Sequence, residues 1–479
     1  MSFVQHPPYS IPLASVAGLS ESEKALIQKL QRRRDDQRKS LWVSEAYYHG
    51  KQQVDNLRIA VPQEMEFLAT IPGWGAQAVD PYVERLNLDG FRLPGATDSD
   101  SALGDLWRES GGAAAQSLAY TDALVTGRAY WVVGSPAEPG SAPVVTVESP
   151  LNMTVLWDYR GVDAEAAWQE YWADGRRNAV LYTPDQTIYL VSDEDTQGWA
   201  IAHRDEHNFG EVPIVRMVNR PRTSERDGFS EITQPLRNTI DSAARTLLGL
   251  EVAREIYSAP RYVLLGALES YFKNADGTSR TTLQSYMTDV WGLERDQDGE
   301  IPAIQQLQAY DPSTFTKLIE MYASQAAGIL AAPPQDLGLY TQGNPTSAEA
   351  QQVSESRRDR RARKRQDMFG PALERVARLL ARFDGSSVDR VSADWTDPAE
   401  RAIGVLSDAV TKQASVGAVP PDSDVVLKRL GYSAVERKQL EEDRKRYEGR
   451  MAAKAIAESL NAPQQADEPG VSGGDAEGV

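Results

Sequence analysis

Cysteine is absent from this sequence, so a disulfide framework, thiolate metal sites and thiol catalysis are all excluded. Histidine is scarce, with four in 479 residues, which leaves few imidazoles for metal or acid–base chemistry. No phosphate-cradling G-x-x-x-x-G-K-[ST] loop occurs, so the chain is not expected to be a nucleotide-driven motor. No apolar run approaches the roughly 18 residues of a membrane-spanning helix. The opening residues, MSFVQHPPYS, carry neither a basic start nor an apolar block. The chain is therefore expected to be soluble and unexported, with no membrane partner. Positive charge is also in deficit: 51 Lys and Arg stand against 69 Asp and Glu, a formal charge of -18. Contact with nucleic acid must then be local, because a globally acidic surface repels phosphate.

What is present is a globular composition. At 41% hydrophobic, the chain can bury a core divided among about three domains. Ser20 and Glu23 stand at capping-box spacing, and Leu26, Ile27 and Leu30 recur on one face, predicting a helix from Glu21 to Lys39. A second, aromatic-rich helix is expected through Trp42, Tyr47 and Tyr48, a third through Val79, Val83 and Leu86, and a fourth from Asp105 towards Val125. From Ala129 the pattern shortens to strand-like segments: Tyr130 to Val133, Val144 to Val147, Thr154 to Trp157, Ala179 to Tyr182, Thr187 to Val191 and Val212 to Val218. Helical spacing returns with Ile232, Leu236, Ile240, Ala244, Leu247, Leu248 and Ile256, with Pro235 expected to bend the first turns. Pro260 ends it, and Arg261 to Gln308 reads as a small mixed insert with a strand at Tyr262 to Leu265. Asp311 and Pro312 then start another helix, because Asp caps free amides and Pro needs no donor there. That helix is stopped by Pro333 and Pro334. Thr346 or Ser347 caps a third long helix, reaching Phe383 and kinked at Pro371. A strand at Val391 to Trp395 and a charged helix after Ser433 follow. The Gly-, Pro- and acid-rich end from Ala462 has the composition of disorder.

Several segments, taken in order, resemble the portal proteins of long-tailed bacteriophages. They are GWGAQAVDPYVERLNLDGF from Gly73, LAYTDALVTGRAYWVV from Leu118, VESP from Val147, HNFGEVPIV from His207 and GFSEITQPLRNTIDSAARTLL from Gly228. PPQDLG from Pro333, NPTSAEA from Asn344 and DWTDP from Asp394 complete the set. None is diagnostic alone; their conjunction, with a helix, insert, helix, loop, long helix order, is fairly specific.

The resemblance implies an α+β portal fold with a helical and β wing, a two-helix stem, a small α/β clip and a helical crown. Residues 1–19 would be an N-terminal arm, 20–227 the wing, 228–258 and 311–332 the stem helices, and 259–310 the clip. Residues 333–344 would be the tunnel loop, 345–398 a kinked wing helix and strand, 399–461 the crown, and 462–479 a disordered tail. It also implies a homo-oligomeric ring, typically a dodecamer, at the capsid vertex of the virion, assembled in the host cytoplasm. Double-stranded DNA would pass through it. The terminase large subunit, a head-completion adaptor, and major capsid and scaffold proteins would be its partners, with no cofactor. The loop contains no Lys or Arg, so its residues Gln335, Leu339, Tyr340, Gln342 and Asn344 would meet DNA without binding phosphate tightly.

Each catalytic alternative has a plainer reading. His203, Glu206 and His207 fit H-x-x-E-H, which binds zinc only from one helix face, but they are expected in an exposed hairpin turn. Gly470, Val471, Ser472, Gly473 and Gly474 match a nucleophile elbow with no strand before it and no His after it. Asp98 and Asp100, or Asp193, Glu194 and Asp195, would suit a metal-dependent nuclease, yet turn chemistry explains them better. Trp42, Tyr47, Tyr48, Trp107, Trp157, Trp168 and Trp172 sit at core spacings rather than as a base-stacking row. The basic run Arg357, Arg358, Arg360, Arg361, Arg363, Lys364 and Arg365 contradicts the acidic average. Contact with acidic surfaces of neighbouring subunits is the favoured reading, with DNA contact and a solvated face as the others. A metal-dependent hydrolase or nuclease, or another head or tail ring protein, remains the alternative function.

Overall fold

The computed structural model describes residues 18–54, 63–96, 99–136, 140–173, 175–193, 198–257, 262–265, 278, 303–306, 311–339, 348–399, short pieces within 410–432, and 434–460. Residues 1–95 with 100–398 form one compact unit, and 96–99 with 399–479 form another.

The first unit opens with helix α1 (Glu21–Tyr48). The Ser20 hydroxyl accepts from the Glu23 amide, and the Glu23 carboxylate accepts from the Ser20 amide, so the predicted capping box is present. The apolar pattern predicts a break after Lys39, but the helix is continuous. No glycine or proline interrupts Lys39 to Tyr48, and the helix continues until Gly50 takes a left-handed φ. Two short helices, α2 (Trp74–Gln77) and α3 (Asp80–Val83), replace the predicted third helix. Pro81 lies in the first turn of α3, where it costs no hydrogen bond. Strand β1 (Leu88–Arg92) follows, then α4 (Ser101–Glu109), capped by Asp100, and α5 (Gly112–Thr126). The single helix predicted from Asp105 is thus two, broken at Gly111, whose φ is 87°.

The β-rich region forms two antiparallel sheets. One has the order β3 (Val144–Glu148), β2 (Arg128–Gly134), β9 (Ile214–Val218). The other runs β4 (Met153–Trp157), β5 (Ala164–Ala173), β6 (Arg176–Tyr182), β7 (Thr187–Asp193), β8 (Gly198–Asp205). Strand β5, and the part of β8 that passes through His203, are not predicted by the apolar pattern. Along β5, Ala166 and Trp168 point to one core while Ala167 points to another, so both faces are covered and the apolar alternation is blurred. On one face Ile27 and Leu30 of α1 pack on Trp168, Leu181 and Ile188. Each such fully buried side chain contributes about 1.5–3 kcal/mol. On the other face Val155, Ala167 and Val180 meet Tyr130, Val132 and Ile214 of the three-stranded sheet.

Helix α6 (Gln234–Tyr257) leaves this region, and α7 (Ser313–Leu330) packs along it. Pro235 occupies the second helical position, so the expected bend has no missing hydrogen bond to cause it. Between them, β10 (Tyr262–Leu265) pairs with β11 (Ala303–Gln306); the rest of the predicted insert, Thr278 aside, lies outside the described residues. Helix α8 (Ala348–Phe383) runs past Pro371 without a break and supplies Phe369, stacked on Tyr120, to the main core. Thr346 and Ser347 lie outside the described residues. Strand β12 (Ser392–Trp395) returns to pair with β1, some 300 residues earlier in the chain. In the second unit, α9 (Ala434–Leu460) is exposed along its charged length, with Lys445 bonded to Glu441 and Arg444 to Glu448. Residues 462–479, including the formal elbow at Gly470, Val471, Ser472, Gly473 and Gly474, lie outside the described residues.

Of the aromatic residues expected in the core, Trp107 and Trp168 are buried, and Trp157, Tyr47 and Tyr48 are half-buried. Trp42 is at the edge of exposure, and Trp172 is 67% exposed at the end of β5, contrary to expectation. His203 lies on β8 opposite Tyr189, not in a hairpin turn, and His207 sits in the loop beyond. A strand and a loop do not offer the common helix face that the zinc motif needs.

Candidate functional site

The entry to α6 is held by a knot of backbone and side-chain bonds that joins two of the sequence motifs to the basic run. Gly127 ends α5 with φ 100°, and its carbonyl accepts from the Asn219 amide at 2.8 Å. The Asn219 side-chain amide donates to the Phe229 carbonyl at 2.8 Å and to Glu231 Oε1 at 2.9 Å. Gly228, φ 79°, passes so close that a Cβ would stand 2.5 Å from both the Asn219 and Gly127 carbonyl oxygens. Only glycine fits there. The Glu231 carboxylate, itself buried, then takes Arg365 Nη2 at 2.5 Å.

Arg365 belongs to the basic run on α8, and the structure divides that run by face. Arg358, Arg361 and Arg365, spaced three and four apart, lie on one side of the helix. Arg358 is buried against Asp336 Oδ2 at 2.6 Å. Arg361 Nη1 donates to the carbonyls of Ile329 and Leu330 at 3.1 and 2.9 Å. These are carbonyls of the last turn of α7, which lack helical partners; the Tyr82 hydroxyl also donates to Leu330. Arg365 lies over the Tyr82 ring, 4.6 Å from its centroid. One face of α8 therefore grips the entry to α6, the end of α7 and the turn beyond α7. Arg357, Arg360 and Lys364 face outward and are exposed, and Arg363 reaches Asp397 at 2.7 Å.

Beyond α7, Ala331 adopts a left-handed φ of 55°, and Pro334–Leu337 form a single 3-10 turn. Gln335 is exposed on that turn, whereas Leu339 is half-buried against the main core. Tyr340, Gln342 and Asn344 lie outside the described residues. Asp336, Glu231, Asn219 and Tyr82 were not singled out from the sequence. Asp336 and Glu231 lie within the quoted motifs PPQDLG and GFSE, but nothing in a motif names a partner 22 or 134 positions away.

A second charged centre ties the segment before Gly228 to α1. Asp227 accepts from Arg216 at 2.6 Å, Arg33 at 2.9 Å and Gln37 at 3.1 Å. Burial works to raise its carboxyl, but the guanidinium groups of Arg128, Arg33 and Arg216 outweigh it and hold it below its ordinary value.

Asp122 on α5 behaves oppositely. Burial, and then the nearby Glu45 carboxylate, push its carboxyl up to about 6 against a hydrogen bond from Ser149. Glu148, raised mainly by burial, also feels Asp122. Because the folded-state value lies above the ordinary 3.8, ionised Asp122 is a cost to folding. That cost is absent at low pH, grows as pH rises from the unfolded value to about 6, and is complete above it. Asp122→Asn is expected to raise Tm at about pH 7.5, by a gain of at most about 3 kcal/mol, and to change it little at about pH 4. Thermal unfolding of both proteins across that range checks this; a pH-independent difference would contradict it. Among the described residues, no group of His, Asp or Glu side chains is arranged to hold a metal ion.

Residues 27–453 match the family model described as phage portal protein, SPP1 Gp6-like. The chain is 31% identical over 421 residues to a portal protein of Mycobacterium phage D29, covering 85% of each chain. It is 30% identical over 422 residues to a portal protein of Mycobacterium phage L5, again covering 85% of each. Among solved structures, a chain from the virion of a native gene transfer agent particle aligns with TM-score 0.41 at 15% identity, over 81% of this chain and 98% of that one. The motifs that meet at the entry to α6 and at the end of α7 thus lie inside a match spanning most of the sequence, and this chain belongs to the SPP1 Gp6-like phage portal protein family.

Proposed function

We propose that copies of this chain form a ring at one capsid vertex through which double-stranded DNA is packaged and later ejected, and that the ring is a structural conduit rather than an enzyme. The observation that carries this reading is family membership over residues 27–453. In this reading α6 and α7 are the stem, the segment between them is the clip that docks the packaging terminase and then the head-completion adaptor, and the unit from residue 399 contributes the crown. Residues 333–344 form the tunnel loop, emerging where α7 ends. That stretch has no Lys or Arg, so it passes phosphates without releasing counterions and gripping them. The chain's -18 charge suits the same task. The stem also needs neighbours: Leu318 and Met321 on α7 are 37% and 44% exposed, and a ring would cover them. Of the basic run, Arg357, Arg360 and Lys364 remain available to acidic surfaces of adjoining subunits.

Electron microscopy of the purified full-length protein is expected to show closed rings with an axial channel. Particles that are only monomeric at micromolar concentration, together with virions lacking such a ring, would overturn the reading.

A further inference from the structure

The chain changes direction abruptly where α7 ends. Ala331 takes a φ of 55° and a ψ of 34°, the left-handed conformation in which glycine is the usual residue. Pro333 and Pro334 then bring no amides, and the turn Pro334–Leu337 closes at Gly338, whose φ of 82° is left-handed again. The backbone bonds of the turn are local: the Asp336 amide donates to the Pro333 carbonyl, Gly338 to Gln335 and Leu339 to Pro334. Such bonds shape the turn but do not aim it.

Its aim has to come from the rest of the fold. Leu337 and Leu339 rest against the main core, but apolar burial is non-directional. Direction comes from two guanidinium groups on successive turns of α8. Arg361 holds the Ile329 and Leu330 carbonyls in the last turn of α7, and Arg358, three residues earlier, holds Asp336 Oδ2 at 2.6 Å. These two positions differ by about 4.5 Å along the axis of α8, so the end of α7 and the turn beyond it are each tied to one rigid element. Helix α8 is itself anchored, by Arg365 on Glu231 and by Phe369 against Tyr120. The Arg358 side chain is 7% exposed, and Asp336 is its one carboxylate partner among the described residues. A buried guanidinium is costly without its counter-charge, which keeps this contact closed.

We infer that Arg358 and Asp336 are a positioning pair: they set the direction in which the chain leaves α7, and with it the place at which residues 340–344 meet DNA. The inference rests on the tunnel-loop reading and adds to it the contact that aims the loop. The charge-assisted, forked geometry of a guanidinium on a carboxylate fixes orientation as well as distance. A pair that only stabilised the fold would make DNA packaging follow Tm. A positioning pair separates the two.

The full-length protein carrying Arg358→Met with Asp336→Leu tests this. An apolar pair tolerates the same burial, so Tm and ring formation should stay close to wild type while the directional bond is gone. Hydrogen exchange at the Gly338 and Leu339 amides, both bonded within the turn, is expected to quicken about tenfold as the turn opens locally. Particles built with the variant should lose most of their packaged DNA. Arg358→Lys keeps the charge but not the fork, and should fall between the two proteins in both measurements. If the double variant fails to fold, Arg358→Lys decides: wild-type exchange and packaging there would overturn the proposal. Unchanged exchange in a folded double variant would overturn it as well, and packaging lost only in proportion to Tm would leave the pair a stabilising one. Faster exchange with normal packaging would remove the pair's part in DNA passage. If replacing Tyr340 to Gly343 by a Gly-Ser linker also left packaging normal, the tunnel-loop reading itself would fall.

Discussion

Glu231→Ala is expected to destabilise the protein by about 3–5 kcal/mol, because it strands the buried Arg365 guanidinium without its counter-charge. Arg365 and Glu231 are both under 9% exposed, and they face one another at 2.5 Å. The substitution also removes one of the two acceptors of the Asn219 side-chain amide, at the point where the chain turns into α6. Glu231→Gln retains an acceptor for Asn219 and should fall between the two. Adding Arg365→Met to Glu231→Ala removes the stranded charge and should recover much of the loss, since an apolar side chain of similar length tolerates the same burial. Urea and thermal unfolding of the four proteins provide the measurements. A single Glu231→Ala variant within about 1 kcal/mol of wild type would mean that this ion pair does not hold the junction.

The largest functional effect is expected from the loop after α7. Replacing Tyr340 to Gly343 by a shorter Gly-Ser linker should leave ring assembly and capsid incorporation intact while abolishing most DNA packaging or retention. The structure sets where the replacement begins. Leu339 is half-buried against the main core, and Asp336 is tied to Arg358, so both stay. The Pro333 and Pro334 stop on one side and the start of α8 at Ala348 on the other let both helices persist. Ring formation and packaged DNA are to be measured in the same particles. Normal packaging with normal genome retention would remove the tunnel-loop assignment, and loss of rings would make this segment an interface.

Helix ends are legible where one side chain's hydrogen bond to a nearby backbone amide decides them. The Ser20 capping box is one example, and the start of α7 is another to within a residue: the Asp311 carboxylate accepts from the Ser313 amide at 2.9 Å, but Pro312, expected at the first helical position, is itself the cap residue. Where packing decides, the sequence misled. The split at Lys39 followed a change in apolar pattern, but α1 lies on the five-stranded sheet with one part of its length and against α2 and α5 with another. Its buried face therefore changes without the helix ending. Strand β5 escaped notice because it is covered on both sides, and Trp172 was placed in the core because spacing cannot tell the middle of a strand from its end.

The basic run shows the same division at the level of function. Seven charges on one helix were plain from composition and position. Which of them turn inward was not, because Arg358, Arg361 and Arg365 acquire their roles from Asp336, the last carbonyls of α7 and Glu231. The sequence by itself determined the class of molecule: without cysteine or a phosphate loop, acidic overall, and bearing its motifs in the portal order. These are properties of residue type and order, which need no folding to exist. Only the tertiary structure decided that Gly127, Gly228, Glu231 and Arg365 meet at one junction, and that β1 is completed by β12. Such pairings are made by the path of the whole chain, and a buried charge finds its partner by distance in space, to which separation along the sequence is no guide.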